Sequence, residues 1–159
     1  MKTVLTKFLT LSSIALLILS GCKKNDALVT SNGGKAGALT SSATTLVLQK
    51  ANLSDTTKVI KFSFTQADYG YSAAITNTLQ IDMAGDKWAK PTSVTLGTKV
   101  LSQGFSTADF DALLLKLGLP GGVASQVQVR IAHSISSNIT PVYSNVVAVT
   151  VTPFNLTSF

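Results

Sequence analysis

Hydrophobic side chains fall at every second position along much of the chain after residue 43. Branched and aromatic residues occupy one side of each alternating run, and mainly polar or small residues occupy the other. This period of two is typical of β-strands with one buried face. Turn-forming segments separate the runs, for example residues 52–57 and 120–122. The pattern predicts strands over residues 46–48, 60–64, 71–83, 94–96, 127–131 and 147–151.

Residues 108–117 have the period of a helix instead of a strand. Thr107 can cap the amino end, and Gly118 followed by a proline can end the helix. Two aspartates lie in the first turn and Lys116 lies in the last, which is the arrangement that the helix dipole favours. The apolar face, at spacing i, i+3, i+4 and i+7, comprises Phe110, Leu113, Leu114 and Leu117.

The first 22 residues have the features of a bacterial lipoprotein signal. Two lysines precede an apolar run over residues 8–19, which is shorter than the roughly 20 residues that a membrane-spanning helix needs. A basic flank, a short apolar core and small residues at its end are typical of a secretory signal. The motif LSGC (19–22) is similar to a lipobox. We expect a signal peptide over residues 1–21 and a lipidated Cys22; an ordinary signal peptide with a chance cysteine is the alternative.

Cys22 is the only cysteine, so the chain can form no intramolecular disulfide and has no other thiol for catalysis or metal binding. Without the two lysines of the signal, 11 of the 13 basic residues remain against 7 aspartates, a net charge of +4. These basic residues are scattered, so we expect no nucleic-acid partner. Residues 22–42 are rich in Ser, Thr, Gly and Lys, and we expect a flexible linker there.

Residues 43–153 are predicted to form one all-β domain. About seven strands and one short helix in that length are typical of an immunoglobulin-like or fibronectin type III-like β-sandwich. The Cys…Trp…Cys pattern of antibody domains is absent, which favours the relatives that lack a disulfide. Residues 154–159 are left as a C-terminal tail.

Three segments carry a resemblance to a known family. They are ADYGYSAAITNTLQID (67–82), DALLLKLGL (111–119) and PVYSNVVAVTVTP (141–153). In this order, behind the LSGC motif, they resemble the N-terminal domain of SusE-type lipoproteins from the starch-utilisation systems of Bacteroidetes. The resemblance extends from Cys22 to Pro153.

The resemblance implies a lipid-anchored protein of the outer membrane that faces the cell surface. It implies an outer-membrane glycan transporter and companion glycan-binding lipoproteins as partners, starch or another glycan as the captured ligand, and no cofactor. Members of this family usually carry acidic residues after the cysteine as a surface-export signal. Here the stretch Lys23-Lys24-Asn25-Asp26 contains one acid.

The family also implies a division of labour along the chain. The N-terminal domain acts mainly as a spacer, and later carbohydrate-binding modules hold the starch. The sequence ends at Phe159, just after the first domain, and we expect it to lack those modules. A truncated member, a gene fragment and a true single-domain relative are the alternatives.

Few residues could carry catalytic or metal chemistry. His133, the only histidine, continues the inward side of the strand that contains Ile131, so we expect a structural histidine. Asp82 and Asp86 lie four apart across a turn and lack the alternating ligands of a calcium loop. No nucleophile-elbow motif is present. We therefore predict no enzymatic activity, no catalytic residue and no metal ligand.

Trp88, the only tryptophan, is the best candidate for contact with a sugar, because aromatic rings stack on pyranose faces. Lys87 and Lys90 flank it and could donate to sugar hydroxyls. The interpretation we favour is that Trp88 covers the edge of the sandwich, and that Tyr71 and Tyr143 pack at strand ends. The sequence thus leaves two functions: a spacer and assembly domain, or a small glycan-binding module around Trp88.

Overall fold

The computed structural model describes residues 33–154, which form two β-sheets and one α-helix. The prediction of an all-β sandwich with one short helix is confirmed. The helix α1 spans Thr107–Lys116, and a 3₁₀ turn spans Lys50–Asn52. The strands within residues 33–154 are β1 (Leu39–Ser41), β2 (Thr45–Val47), β3 (Ile60–Phe64), β4 (Thr76–Met83), β5 (Thr92–Leu96), β6 (Ser102–Phe105), β7 (Ser125–Ser134), β8 (Val142–Tyr143) and β9 (Val147–Thr152).

The two sheets differ in size. The smaller one has the order β1-β3-β6 and is antiparallel throughout. The larger one has the order β2-β9-β7-β4-β5, with β8 paired to one end of β7. All of its pairs are antiparallel except β2 with β9. Strands β4 and β7 form its centre, paired from Thr76 opposite Ser134 to Met83 opposite Val127.

The core contains an aromatic cluster that joins α1 to the smaller sheet. Phe62 of β3, Phe105 of β6 and Phe110 of α1 have ring centroids 5.6 to 6.4 Å apart. Each such pair contributes about 0.5–1.5 kcal/mol beyond the area it buries. The larger sheet supplies aliphatic side chains that are at most 1% exposed: Leu79, Ile81, Val127, Val129, Ile131, Val149 and Val151.

The helix is capped at both ends, by a different residue than predicted at the amino end and at the predicted Gly118 at the carboxyl end. Ser106 is the N-cap, because its extended backbone (φ −71°, ψ 169°) lets its hydroxyl accept from the amide of Asp109. Thr107 is instead the first helical residue, so the prediction that it caps the helix is wrong. At the other end Gly118 has φ +90°, and the amide of Leu119 donates to the carbonyl of Leu114 at 3.1 Å, as in a Schellman motif.

The ordered domain begins earlier than predicted. Residues 39–41 were assigned to the linker, but they form β1, and Leu39 is only 2% exposed. The side chain of Asn145 accepts from the amide of Leu39 at 2.8 Å and donates to its carbonyl at 3.0 Å. Further upstream, the backbones of Lys35 and Asp68 form a bridge. Residues 22–32 of the predicted linker, the signal peptide and Cys22 lie outside the described residues.

The C-terminal boundary also moves, by one residue. Phe154 was assigned to the tail, but it is buried, and its amide donates to Asp111 Oδ1 at 2.9 Å. Burial raises the pKa of Asp111, while the bond from Phe154 acts in the opposite direction. The remaining tail, residues 155–159, lies outside the described part of the chain.

The predicted strand over residues 71–83 is wrong in its first part. Strand β4 begins at Thr76, because the chain turns at Gly70 (φ +77°) and runs irregularly to Ile75. Tyr71 is therefore not in a strand; it packs beside the small apolar cluster of Ala67, Tyr69 and Ile75. In residues 33–154 no helix has the length and apolar character needed to cross a membrane.

Candidate functional site

The outer face of the larger sheet holds an arginine against two aromatic rings. On β7 the side chains of Val129 and Ile131 enter the core, so Arg130 points to the opposite face. Its guanidinium carbon lies 4.0 Å from the centroid of the Trp88 ring and 3.8 Å from that of Tyr143. These three residues, called the Arg130 cluster below, come from β7, the β4–β5 turn and β8.

A strained turn positions Trp88 in this cluster. Lys87 (φ 54°) and Trp88 (φ 63°) both have left-handed backbones, and the amide of Ala89 donates to the carbonyl of Asp86 at 3.1 Å. Two such residues in succession define a type I′ turn, which usually contains Asn and Gly. A left-handed backbone costs about 1–2 kcal/mol for a residue with a Cβ atom. Contacts around the turn must offset that cost.

The register of the sheet fixes Arg130. Gln80 lies directly opposite it on β4, and Arg130 Nε donates to Gln80 Oε1 at 2.8 Å. Burial lowers the pKa of Arg130, and the nearby Tyr143 and Asp82 act in the opposite direction. Arginine stays protonated in proteins, so the cluster carries a positive charge. Cation–π contacts of this kind contribute about 0.5–2 kcal/mol each.

Asp82 lies on the same face of β4 as Gln80 but is almost fully buried, at 1% exposure. Its Oδ1 accepts from the amide of Met83 at 2.9 Å, and its Oδ2 has no hydrogen-bond partner in the described part of the chain. Asp86 lies in the following turn and is half-buried. Within residues 33–154, no group of three or more His, Cys, Asp or Glu side chains is placed to hold a metal ion.

The two lysines that flank Trp88 in sequence are both exposed. Trp88 itself is half-buried, and Tyr143 is 39% exposed. The structure therefore brings Trp88 together with Arg130 and Tyr143, a grouping that the sequence did not suggest. Arg130 was read only as one of the scattered charges, and Tyr143 only as a residue at a strand end.

His133 lies on the other side of the larger sheet, in the core, which confirms its predicted orientation. It is fully buried, and its Nδ1 lies 2.8 Å from Asn77 Oδ1. Asn77 in turn donates to Gln66 Oε1 at 2.9 Å, so Asn77 presents an acceptor and His133 Nδ1 carries the proton. The Nε2 atom has no hydrogen-bond partner among residues 33–154, and burial lowers the pKa of His133.

A shallow groove of about 400 Å³ runs between α1 and the strands β5 and β6. Phe105, Leu113 and Val94 form its apolar floor. At its rim Lys58 Nζ lies 3.7 Å from Asp109 Oδ2, with both side chains more than half exposed. An exposed pair of this kind contributes only about 0–1 kcal/mol. The polar side chains at the groove, Gln103 and Asp109, are engaged in local hydrogen bonds with Gly104 and Ser106.

Comparison with known families gives one match. The model of a family described as SusE outer membrane protein matches residues 23–132. The matched segment contains Trp88 and Arg130 and ends before His133 and Tyr143. No curated protein matches the chain.

Proposed function

Because the family model matches 110 of its 159 residues, the chain belongs to the SusE outer membrane protein family, and we propose that it is a non-enzymatic spacer and assembly domain of a glycan-capture system. As a member of that family it is an outer membrane protein associated with starch utilisation. The family match is the observation that carries the proposal. The fold supports it with two sheets packed around a buried core.

The way the chain enters the sandwich suits a spacer. The amide of Lys35 donates to the carbonyl of Asp68, and the amide of Asp68 donates back to Lys35 at 2.9 Å. At Leu39, four residues after Lys35, the backbone N–H and C=O both form hydrogen bonds with the side chain of Asn145. These contacts fix the start of the domain to two distant parts of the chain. The domain is therefore held to its own amino end from Lys35 onward.

The placement of the ionisable groups supports a non-enzymatic role. The single histidine is fully buried in the core. Asp82 and Asp111 are 1% and 2% exposed and accept from backbone amides. A carboxylate pair for glycoside hydrolysis must instead flank the scissile bond in an accessible site.

The proposal includes the anchor. Residues 1–21 would be removed as a signal peptide, Cys22 would be acylated, and the segment after it would connect the lipid to the sandwich at the cell surface. Two or more acyl chains give stable membrane attachment. Mass spectrometry of the mature N-terminus should find an acylated Cys22; a free Lys23 or another free terminus would contradict the anchor.

Growth on starch tests the spacer and assembly role. A deletion strain should grow normally on glucose and poorly on starch, and the intact gene should restore growth. The variant Cys22→Ser should fail to restore it, because the domain would lose its membrane attachment. Unimpaired growth of the deletion strain on starch would contradict the role.

The Arg130 cluster favours a second candidate, a small glycan-binding module around Trp88. Its aromatic side chains are available at the outer face of the sheet, with Lys87 and Lys90 exposed beside them. In affinity electrophoresis through starch-containing gels, retardation that disappears in Trp88→Ala but persists in the control Tyr71→Ala would support this module. The absence of retardation would leave the spacer and assembly domain as the proposed function.

A further inference from the structure

Most of the hydrogen-bond donors of Arg130 have no partner. A guanidinium carries five N–H donors, and Nε uses one of them on Gln80 Oε1 at 2.8 Å. Among residues 33–154, neither Nη atom has a hydrogen bond or an ion pair. Arg130 therefore presents a charged group whose outer donors remain available to a ligand.

The guanidinium is nevertheless held in place. The rings of Trp88 and Tyr143 lie 4.0 and 3.8 Å from its carbon atom, and Gln80 fixes its Nε. The left-handed backbones of Lys87 and Trp88 are retained although they are unfavourable, and strain of this kind concentrates at functional sites. A fixed guanidinium loses little entropy when it binds, and its geometry matches the two oxygens of a carboxylate.

The charge around the cluster is positive at the surface. Lys87 and Lys90 are exposed beside Trp88. Two carboxylates oppose these cations: Asp82, which is 1% exposed, and Asp86, which is half-buried. Three cations against two anions leave a net charge of +1, and the more deeply buried of the two anions lies beneath the surface that a ligand would meet.

We propose that the Arg130 cluster binds a sugar that carries a carboxylate, namely a uronic acid unit of an acidic polysaccharide. The carboxylate accepts hydrogen bonds from the Nη atoms of Arg130. The apolar face of the pyranose ring lies on an aromatic ring of the cluster, and Tyr143 is 39% exposed. This inference rests on the second proposed function, glycan binding near Trp88, and adds the ligand class. A neutral glucan offers the guanidinium only hydroxyl groups.

Calorimetric titration of the detergent-solubilised full chain tests the ligand class with three probes of similar length. Trigalacturonate should bind, and maltotriose should bind at least about tenfold more weakly, because a hydrogen bond to a charged group adds roughly that factor. An acidic peptide, triglutamate, should also be weaker, since it has no ring face. Circular dichroism of each variant checks that the fold is retained.

Three variants identify the residue responsible. Arg130→Gln should abolish the preference for trigalacturonate over maltotriose. Arg130→Lys keeps the charge but loses the planar fork, so its affinity should fall about tenfold. The control Lys61→Gln removes one exposed positive charge from β3 of the other sheet and should leave binding unchanged.

The outcomes separate this inference from the function it rests on. Equal binding of trigalacturonate and maltotriose would overturn the acidic ligand while retaining a glycan-binding module. Binding of triglutamate as tight as that of trigalacturonate would overturn the sugar. The absence of binding by all three probes would overturn both the inference and the module, and would leave the spacer. A preference unchanged in Arg130→Gln would also overturn the inference.

Discussion

Acidification below the ordinary pKa of histidine should destabilise the sandwich, because His133 is buried in its neutral form. Its Nδ1–H donates to Asn77 Oδ1, and its Nε2 is buried without a hydrogen-bond partner among the described residues. The ring of Phe64 lies 6.1 Å away, centroid to centroid. Among residues 33–154, no carboxylate contacts His133 to stabilise a proton on Nε2.

The sign and size of the effect follow from this burial. The pKa of His133 is lowered in the folded state from its ordinary value of 6.5. Well above pH 6.5 both states are neutral and the stability is complete. As the pH falls below that value, the unfolded state binds a proton that the folded state does not. The free energy of unfolding therefore decreases by up to about 1.4 kcal/mol per pH unit until the folded-state pKa is reached.

Urea unfolding at intervals from pH 8 to pH 5.5 measures this dependence. The window stays above the range in which Asp55 and Asp109 contribute, because hydrogen bonds from Thr57 and Ser106 lower their pKa values. Burial raises the pKa of Asp111, but that group is the same in the wild type and in the variant below, so its contribution cancels in their comparison. The variant His133→Asn should be less stable at every pH. It should lose the decrease between pH 6.5 and 5.5, because an amide does not titrate in this range. Its side chain can still donate to Asn77, so that hydrogen bond is retained.

The imidazole can also be observed directly. The chain contains a single histidine, so the two imidazole C–H signals in the NMR spectrum, from Cε1–H and Cδ2–H, both report on His133. These signals should not shift between pH 8 and pH 6.5. A titration midpoint at or above 6.5, or the same pH dependence of unfolding in His133→Asn, would refute the reasoning.

Three further changes have expected effects on the free energy of unfolding in urea. Ser106→Ala should lower it by about 1 kcal/mol through loss of the helix cap, and Ser106→Asn should largely preserve it; equal losses would contradict the cap. Phe110→Ala should lower it by about 3–5 kcal/mol, since the side chain is fully buried between α1 and the smaller sheet; a loss below about 1 kcal/mol would contradict that packing. Asp111→Ala should lower it by about 1–3 kcal/mol by leaving the amide of Phe154 unpaired, whereas Asp111→Asn keeps an acceptor and should lose less.

The sequence predicted the strands that supply most of the core and missed β1, β6 and β8. Strands β3, β7 and β9 alternate apolar and polar residues along their length, so their period is visible without a structure. Strand β6 reads SQGF, with one large apolar residue, and β8 has only two residues. Such strands form because a neighbouring strand offers unpaired backbone groups. The neighbouring strand is distant in sequence, so the local pattern does not predict the pairing.

The errors at the helix and at the long strand have local causes. Ser106 and Thr107 can both cap a helix, and only the backbone angles of the folded chain select Ser106. Tyr71, Ala73 and Ile75 alternate as a strand would, but the positive φ of Gly70 and packing against Tyr69 direct them into a loop. Alternation alone does not distinguish these cases.

The candidate site was predictable only in part. The composition singled out Trp88, because one tryptophan in a turn stands out from the rest of the chain. Arg130 could be assigned to the outer face of its strand from the alternation, but its contact with Trp88 depends on the β4–β7 register and on a turn with two left-handed residues. The position of Tyr143 in the cluster depends on its pairing in β8, a strand that the sequence did not predict.

The most direct test of the account is whether the protein is part of an outer-membrane glycan-capture complex. The tagged full-length chain should be purified in mild detergent from cells grown on starch, and the co-purifying proteins identified by mass spectrometry. The account predicts recovery of an outer-membrane glycan transporter or a companion glycan-binding lipoprotein, and loss of both when Cys22→Ser replaces the wild type. Recovery of the chain alone from starch-grown cells, in repeated preparations, would contradict the account.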